Sequence, residues 1–197
     1  MAEDLEAVVV AAVEADATVT SVRLVGSRAD GSAGELSDWD FAVETDDFAA
    51  LAPRIRELVG PLAPLAAQWD PLGTVRCYML ILRGPVKVDL IFDEPQEESP
   101  PWSVDRATLP LIDGHFWDWA LWLAAKDAAG KADLVAAELE KMHRHLLGPL
   151  GVAAPTKSVE EAVAAYLPAR REAAARLGAQ VDRSLEREVL PVVRRGA

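Results

Sequence analysis

The sequence predicts an α+β fold in two parts: a small mixed β-sheet flanked by helices, then a C-terminal helical bundle. Three observations carry that expectation. Short β-rich runs bounded by Gly, Pro and Asp recur through residues 18–92. Residues 93–101, DEPQEESPP, break the composition with acid and proline and read as an exposed linker. Beyond them apolar residues recur at helical spacing to the end of the chain. Residues 1–100 are therefore expected to form one domain and residues 101–197 a second.

The elements follow in order. Leu5, Val8, Val9, Ala12 and Val13 fall on one face of a helix over residues 3–16. A strand is expected over 18–25, a polar loop after Gly26-Ser27, and a second strand over 38–44. Thr45-Asp46-Asp47 reads as the cap of one helix running to about Val59, stopped by Gly60-Pro61. Residues 61–73 read mostly as loop with a short strand near Ala66–Trp69, and Val75–Leu82 and Val86–Phe92 as a hairpin around Arg83-Gly84-Pro85. In the second part, residues 112–129 and 131–147 are expected to form two helices, or one kinked at Gly130, ended by Gly148-Pro149. Ser158 caps another that Pro168 interrupts or restarts, and a last helix covers about 179–193.

Composition narrows the class. Apolar residues make up 51% of the 197, enough for a proper core. The net charge of −12 lacks the basic stripe of a nucleic-acid binder and suits a small cationic ligand, or simply keeps the chain soluble. The single cysteine, Cys77, rules out an internal disulfide and fits a reducing compartment. The opening Met1-Ala2-Glu3-Asp4 is unlike a secretory leader, and no apolar run reaches membrane-spanning length. A cytoplasmic location with no membrane partner is the expectation.

The chemistry concentrates between Gly26 and Asp40. Asp38 and Asp40 stand two apart on the expected strand, so their carboxylates project together while Trp39 points into the opposite layer. Two hard oxygen ligands on one edge suit a magnesium ion, since like charges that close repel without a cation between them. Gly26 permits close backbone approach, Ser27 is expected to cap a helical turn, and free N–H groups there attract phosphate oxygens. Together they point to chemistry on a nucleoside triphosphate. Asp89, in the apolar run Val86–Ile91, is either a third carboxylate of the same site or an edge-strand Asp paired with Lys87. The three histidines show no metal-ligand spacing, and the arginines 183, 187, 194 and 195 read as a salt-bridged helix surface.

Gly26-Ser27, ten intervening residues before Asp38-Trp39-Asp40, and the later Asp89 resemble the signature of the DNA polymerase beta-like nucleotidyltransferase superfamily. His115–Asp127, an aromatic-rich stretch that carries Lys126, resembles a helix of the bacterial aminoglycoside adenylyltransferases. Trp117, Leu121 and Ala125 within it also fit a plain core stripe.

The resemblance implies a nucleotidyltransferase fold whose helical part completes the substrate cleft. It implies two Mg2+ ions held near Asp38 and Asp40, and transfer of AMP or another NMP from ATP or another nucleoside triphosphate, with release of pyrophosphate. Asp89 would complete the metal site or take the proton from the acceptor hydroxyl. Gly26 and Ser27 would contact the β- and γ-phosphates. Arg28 would add a charge-assisted contact or stay a solvated loop residue, and Lys126 would reach the triphosphate or face water. The acceptor is expected to be a small, cationic, aminoglycoside-like molecule rather than nucleic acid, which would make the chain an antibiotic-resistance enzyme. The alternatives are an antitoxin-type enzyme that attaches AMP to a protein, and a nucleotide-binding module without catalysis. Glu44, Asp118 and the acidic loop Glu94–Glu98 read as solvated charges or handles for substrate amines. Oligomeric state stays open.

Overall fold

The computed structural model describes residues 2–195, and side chains from Leu5 onward. The chain divides into two compact units, Met1–Glu98 and Ser99–Ala197.

In the first unit, helix α1 (Ala2–Val13) precedes strand β1 (Val19–Val25), a single helical turn α2 (Gly26–Ala29), and strand β2 (Trp39–Thr45). Two short turns α3 (Phe48–Leu51) and α4 (Ile55–Leu58) lead through a 3-10 turn into β3 (Ala66–Trp69), β4 (Val75–Leu82) and β5 (Val86–Pro95). The five strands form one sheet in the order β1-β2-β5-β4-β3. Only β2 and β5 run parallel; the other neighbours are antiparallel. Alternation along the strands then fixes the faces. Trp39, Phe41 and Val43 of β2, Val88, Leu90 and Phe92 of β5, and Tyr78, Leu80 and Leu82 of β4 join one buried core with Val9, Val13, Leu51, Ile55 and Val59 from the helical side. Full burial of side chains such as Phe41 and Leu90 stabilises the unit by about 1.5–3 kcal/mol each. The in-between residues, Asp40 and Asp89 among them, face the opposite side of the sheet.

Two expectations change here. The single helix foreseen up to Val59 is two separate turns, because Pro53 supplies no N–H to continue the ladder; Asp47 does cap the first, accepting from the Ala50 N–H at 2.9 Å. The expected linker also begins later. Strand β5 continues to Pro95, which pairs with Val75, and the Gln96 side chain donates to the Asp70 and Gly73 carbonyls, each at 2.9 Å. Proline is tolerated at that strand end, where no ladder N–H is required.

The second unit is helical: α5 (Leu109–Ala128), α6 (Ala132–Met142), α7 (Val159–Leu177) and α8 (Ser184–Val193). Helix α6 continues without a break into a wider π-turn over His143–Leu147, closed by the Gly148 N–H on the His143 carbonyl at 2.7 Å, so the helical stretch reaches 147 as expected. Ser158 caps α7 by accepting from the Glu161 N–H at 3.1 Å. Helix α7 runs through Pro168 without interruption, because Tyr166, Arg170 and Ala173 anchor both sides of it in the core. Helix α8 starts at Ser184 rather than 179, where the Asp182 carboxylate holds the Ser184 N–H at 2.9 Å.

Helix α5 is buried around most of its circumference, as expected of a central core helix. That places charge where none was foreseen. Asp113 Oδ1 accepts from Tyr166 Oη at 2.6 Å, Arg170 at 2.9 Å and Trp117 Nε1 at 3.2 Å. Arg170 bridges onward to Glu186, which also takes Arg183. Burial pushes the Asp113 carboxyl above its ordinary range against those hydrogen bonds, and pushes the Tyr166 phenol well up. The hydrogen bond from Arg183, seconded by Arg170, pulls Glu186 down to about 2. Arg183 is thus one arm of a network that reaches the core, not simply a surface pair. Asp118, expected as a solvated charge, is likewise buried, because it sits on the same enclosed helix.

Candidate active site

Strand order builds the site. In register, Val25 at the end of β1 faces Asp40 of β2, and Asp40 faces Asp89 of β5. Asp38 immediately precedes β2 and is 9% exposed, so the two aspartates flank Trp39, which is buried in the core on the other face. The parallel β2–β5 pairing thus joins residues that are distant in sequence. One carboxylate oxygen from each of Asp38, Asp40 and Asp89 lies within 4.8 Å of the others. At an effective dielectric of about 20, two unit charges that far apart repel by roughly 3–4 kcal/mol.

Part of that repulsion is answered within the chain. Lys87 Nζ lies 2.6 Å from Asp89 Oδ1, with only 7% and 14% of the two side chains exposed. Asp89 thus joins the carboxylate cluster and also pairs with Lys87, but the edge-strand setting is overturned, because β5 lies in the middle of the sheet between β2 and β4. Burial raises its carboxyl above the ordinary range, Lys87 opposes that, and the charges of Asp38 and Asp70 add to it. Asp70, in the turn after β3, was not singled out from sequence, because an Asp in a proline-rich turn looks like ordinary turn chemistry.

Gly26 follows β1 as the first residue of α2 at φ +68°, and a Cβ there would sit 2.6 Å from Asp40 Oδ2. No other residue fits at that position without moving the carboxylate. Ser27 lies inside the helical turn, not at its cap: the cap position is Val25, with no side-chain bond, and the Ser27 carbonyl accepts from the Ser32 N–H at 2.9 Å. Arg28 turns back onto the loop. Its Nε donates to the Ser37 and Asp38 carbonyls at 3.1 and 3.0 Å, a terminal nitrogen also reaches Ser37, and the guanidinium stacks 4.3 Å from the Trp39 ring. Burial lowers its pKa, against the charges of Asp38 and Asp40. Arg28 thus braces the backbone that carries Asp38.

Lys126 belongs to the last turn of α5, in the second unit, with its ammonium 5.2 Å from the Trp122 ring. Glu44 is exposed and pairs with Arg23 at 3.3 Å.

The three carboxylates outnumber the one ammonium paired with them, so the cluster favours a cation. Its donors are all hard oxygens, the set that magnesium prefers, so the residues fit the metal that the resemblance implies. Among the described residues this is the one group of three or more acidic, histidine or cysteine side chains so arranged.

A mixed sheet with a glycine turn beside acidic residues on adjacent strands defines a nucleotidyltransferase-type domain, and comparison with known proteins agrees. Residues 8–105, about half of the chain, match the family described as nucleotidyltransferase domain, and the chain belongs to that family. No curated protein sequence matches it. Similar solved structures include the GLD-2/RNP-8 complex, 12% identical with a TM-score of 0.40, over 71% of this chain and 43% of that one. A cytoplasmic RNA terminal U-transferase is 14% identical with a TM-score of 0.38, over 72% and 40% of the two chains. An aminoglycoside 6-adenyltransferase from Bacillus subtilis is 11% identical with a TM-score of 0.38, over 96% of each chain. The matched regions span less than half the length of the first two. Among the described residues no helix is long and apolar enough to cross a membrane.

Proposed function

We propose that this protein transfers a nucleoside monophosphate, AMP by preference, from a nucleoside triphosphate to a hydroxyl of a small cationic acceptor such as an aminoglycoside. The observation that carries this reading is the convergence of Asp38, Asp40 and Asp89 within 4.8 Å, beside a glycine whose backbone packs on Asp40. In the reaction the acceptor oxygen bonds to the α-phosphorus, the bond from that phosphorus to the bridging oxygen breaks, and pyrophosphate leaves with the electron pair. Divalent cations, when bound, supply charge neutralisation at the phosphates and make the acceptor hydroxyl more acidic.

The remaining work falls to the chain's own residues. Asp38 and Asp40 would hold the ions, and Asp89 would share in that or accept the hydroxyl proton. Gly26 keeps side-chain bulk away from Asp40, and, as the resemblance implies, Gly26 and Ser27 would contact the phosphate oxygens. Arg28 holds the loop so that Asp38 stays oriented. Lys126 is the helical residue assigned to the triphosphate, an assignment resting on the resemblance. The net charge of −12 favours a cationic acceptor over a nucleic acid.

The test is pyrophosphate release from ATP with Mg2+ against a panel of aminoglycosides and lincosamides, with Asp40→Asn as control. Release that requires one acceptor and vanishes in the variant supports the reading. Absence of release across the panel, with ATP still bound, refutes the antibiotic acceptor and directs the search to protein acceptors.

A further inference from the structure

Lys87 has no role in the reaction above, yet it is buried and touches one of the three carboxylates. On β5 it stands two residues before Asp89, so both side chains leave the same face of the strand. Its register partner on β4 is Ile81, which offers no polar group on that side. The ammonium is 2.6 Å from Asp89 Oδ1. An ion bound to that oxygen at magnesium's usual distance of about 2.1 Å would lie within about 5 Å of the ammonium. A monovalent and a divalent cation so close, in a site this buried, oppose one another.

Resting on the reading of Asp38, Asp40 and Asp89 as a metal site, we propose that Lys87 makes divalent-cation binding conditional on the nucleotide. Its ammonium occupies Asp89 in the free protein and moves to the polyphosphate once a nucleotide arrives. Charge supports this. With Lys87 seated on Asp89, one of the three carboxylates is already countered, which leaves less negative charge to hold a divalent ion. A triphosphate brings the negative charge that a second ion needs, and gives the ammonium another anionic partner. A lysine suits such a transfer because its charge is a compact point on a flexible four-carbon stem, where an arginine fork would be committed to one geometry. The consequence is that the free enzyme holds its ions weakly and assembles the full site only around substrate.

The experiment is titration of the full chain with Mn2+, followed by electron paramagnetic resonance, with and without a non-hydrolysable ATP analogue. The analogue's own chelation is subtracted from a protein-free titration. Wild type is expected to bind Mn2+ about 10-fold more tightly with the analogue than without it. Lys87→Met is expected to bind Mn2+ alone about 10-fold more tightly than wild type and to gain little from the analogue. Lys87→Arg is expected to keep the free protein's Mn2+ affinity low. Lys87→Met binding Mn2+ no more tightly than wild type overturns the proposal. So does a wild type whose affinity the analogue leaves unchanged, a measurement that stands even if the variant fails to fold. Asp40→Asn separates the two levels: Mn2+ that binds it as well as wild type sinks the metal site itself. A wild-type site lost in Asp40→Asn but indifferent to Lys87 sinks only the inference.

Discussion

Replacing Gly26 with alanine tests the geometry of the carboxylate cluster without touching a charge. The substitution acts twice. At φ +68° an L-residue costs roughly 1–2 kcal/mol of backbone strain. The new Cβ also arrives 2.6 Å from Asp40 Oδ2, so that oxygen must retreat by about 0.8 Å to reach the 3.4 Å of ordinary contact. A misplacement near 1 Å at a reacting centre costs about 100-fold in rate. Gly31→Ala is the matched control, because Gly31 has φ +76° and nothing within 4 Å of its would-be Cβ. Both variants should lose stability by the backbone-strain cost in urea titration, Gly26→Ala somewhat more because of its contact with Asp40. Gly26→Ala alone should lose about 100-fold in kcat for pyrophosphate release, and also bind Mn2+ more weakly. If Gly31→Ala loses as much activity, or Gly26→Ala keeps both turnover and Mn2+ affinity, Asp40's position does not matter in the way argued.

Three further outcomes follow from the same structure. Asp40→Asn removes one of three mutually repelling charges, so in EDTA it should be about 1–3 kcal/mol more stable than wild type by chemical denaturation, while Mg2+ stabilises only wild type. Glu186, held at about 2 by Arg183 and Arg170 against an ordinary 4.5, has a depressed folded-state pKa; its contribution is full above about 4.5 and lost as pH falls toward 2. An acid titration of stability should show that loss, at most about 3 kcal/mol, and Glu186→Gln should abolish it. Asp113→Ala strands Arg170 and the Tyr166 hydroxyl in the core and should cost about 3–5 kcal/mol, whereas Tyr166→Phe, which removes one donor of three, should cost about 1.5–3 kcal/mol in thermal or urea unfolding.

Local pattern alone was enough for much of the first unit. Period-two alternation in Trp39–Val43 and Val86–Phe92 marks strands with one core face, and it puts Asp38 and Asp40 on the other side of the chain from Trp39. The spacing from Gly26 to Asp40 marks the turn between two strands. Pro53 was as visible as Pro61, and its effect on the helix after Asp47 could have been read from sequence. The capping serine of α7 was legible, while the passage of that helix through Pro168 was not, because tertiary anchoring outweighed a local break.

What the sequence by itself determined is therefore the set of elements, the glycine turn and the pair of aspartates, since these depend on neighbours a few residues away. Only the tertiary structure decided which strands lie side by side. The parallel β2–β5 register brings Asp89 against Asp40 and buries the Lys87–Asp89 pair, whose two-residue spacing was already legible, beside the other carboxylates. The same holds for Asp113, Tyr166, Arg170 and Glu186: charges on amphipathic helices read as surface until packing encloses them. Register and burial are properties of contacts far apart along the chain, and no local periodicity encodes which distant partner a strand or a charge will meet.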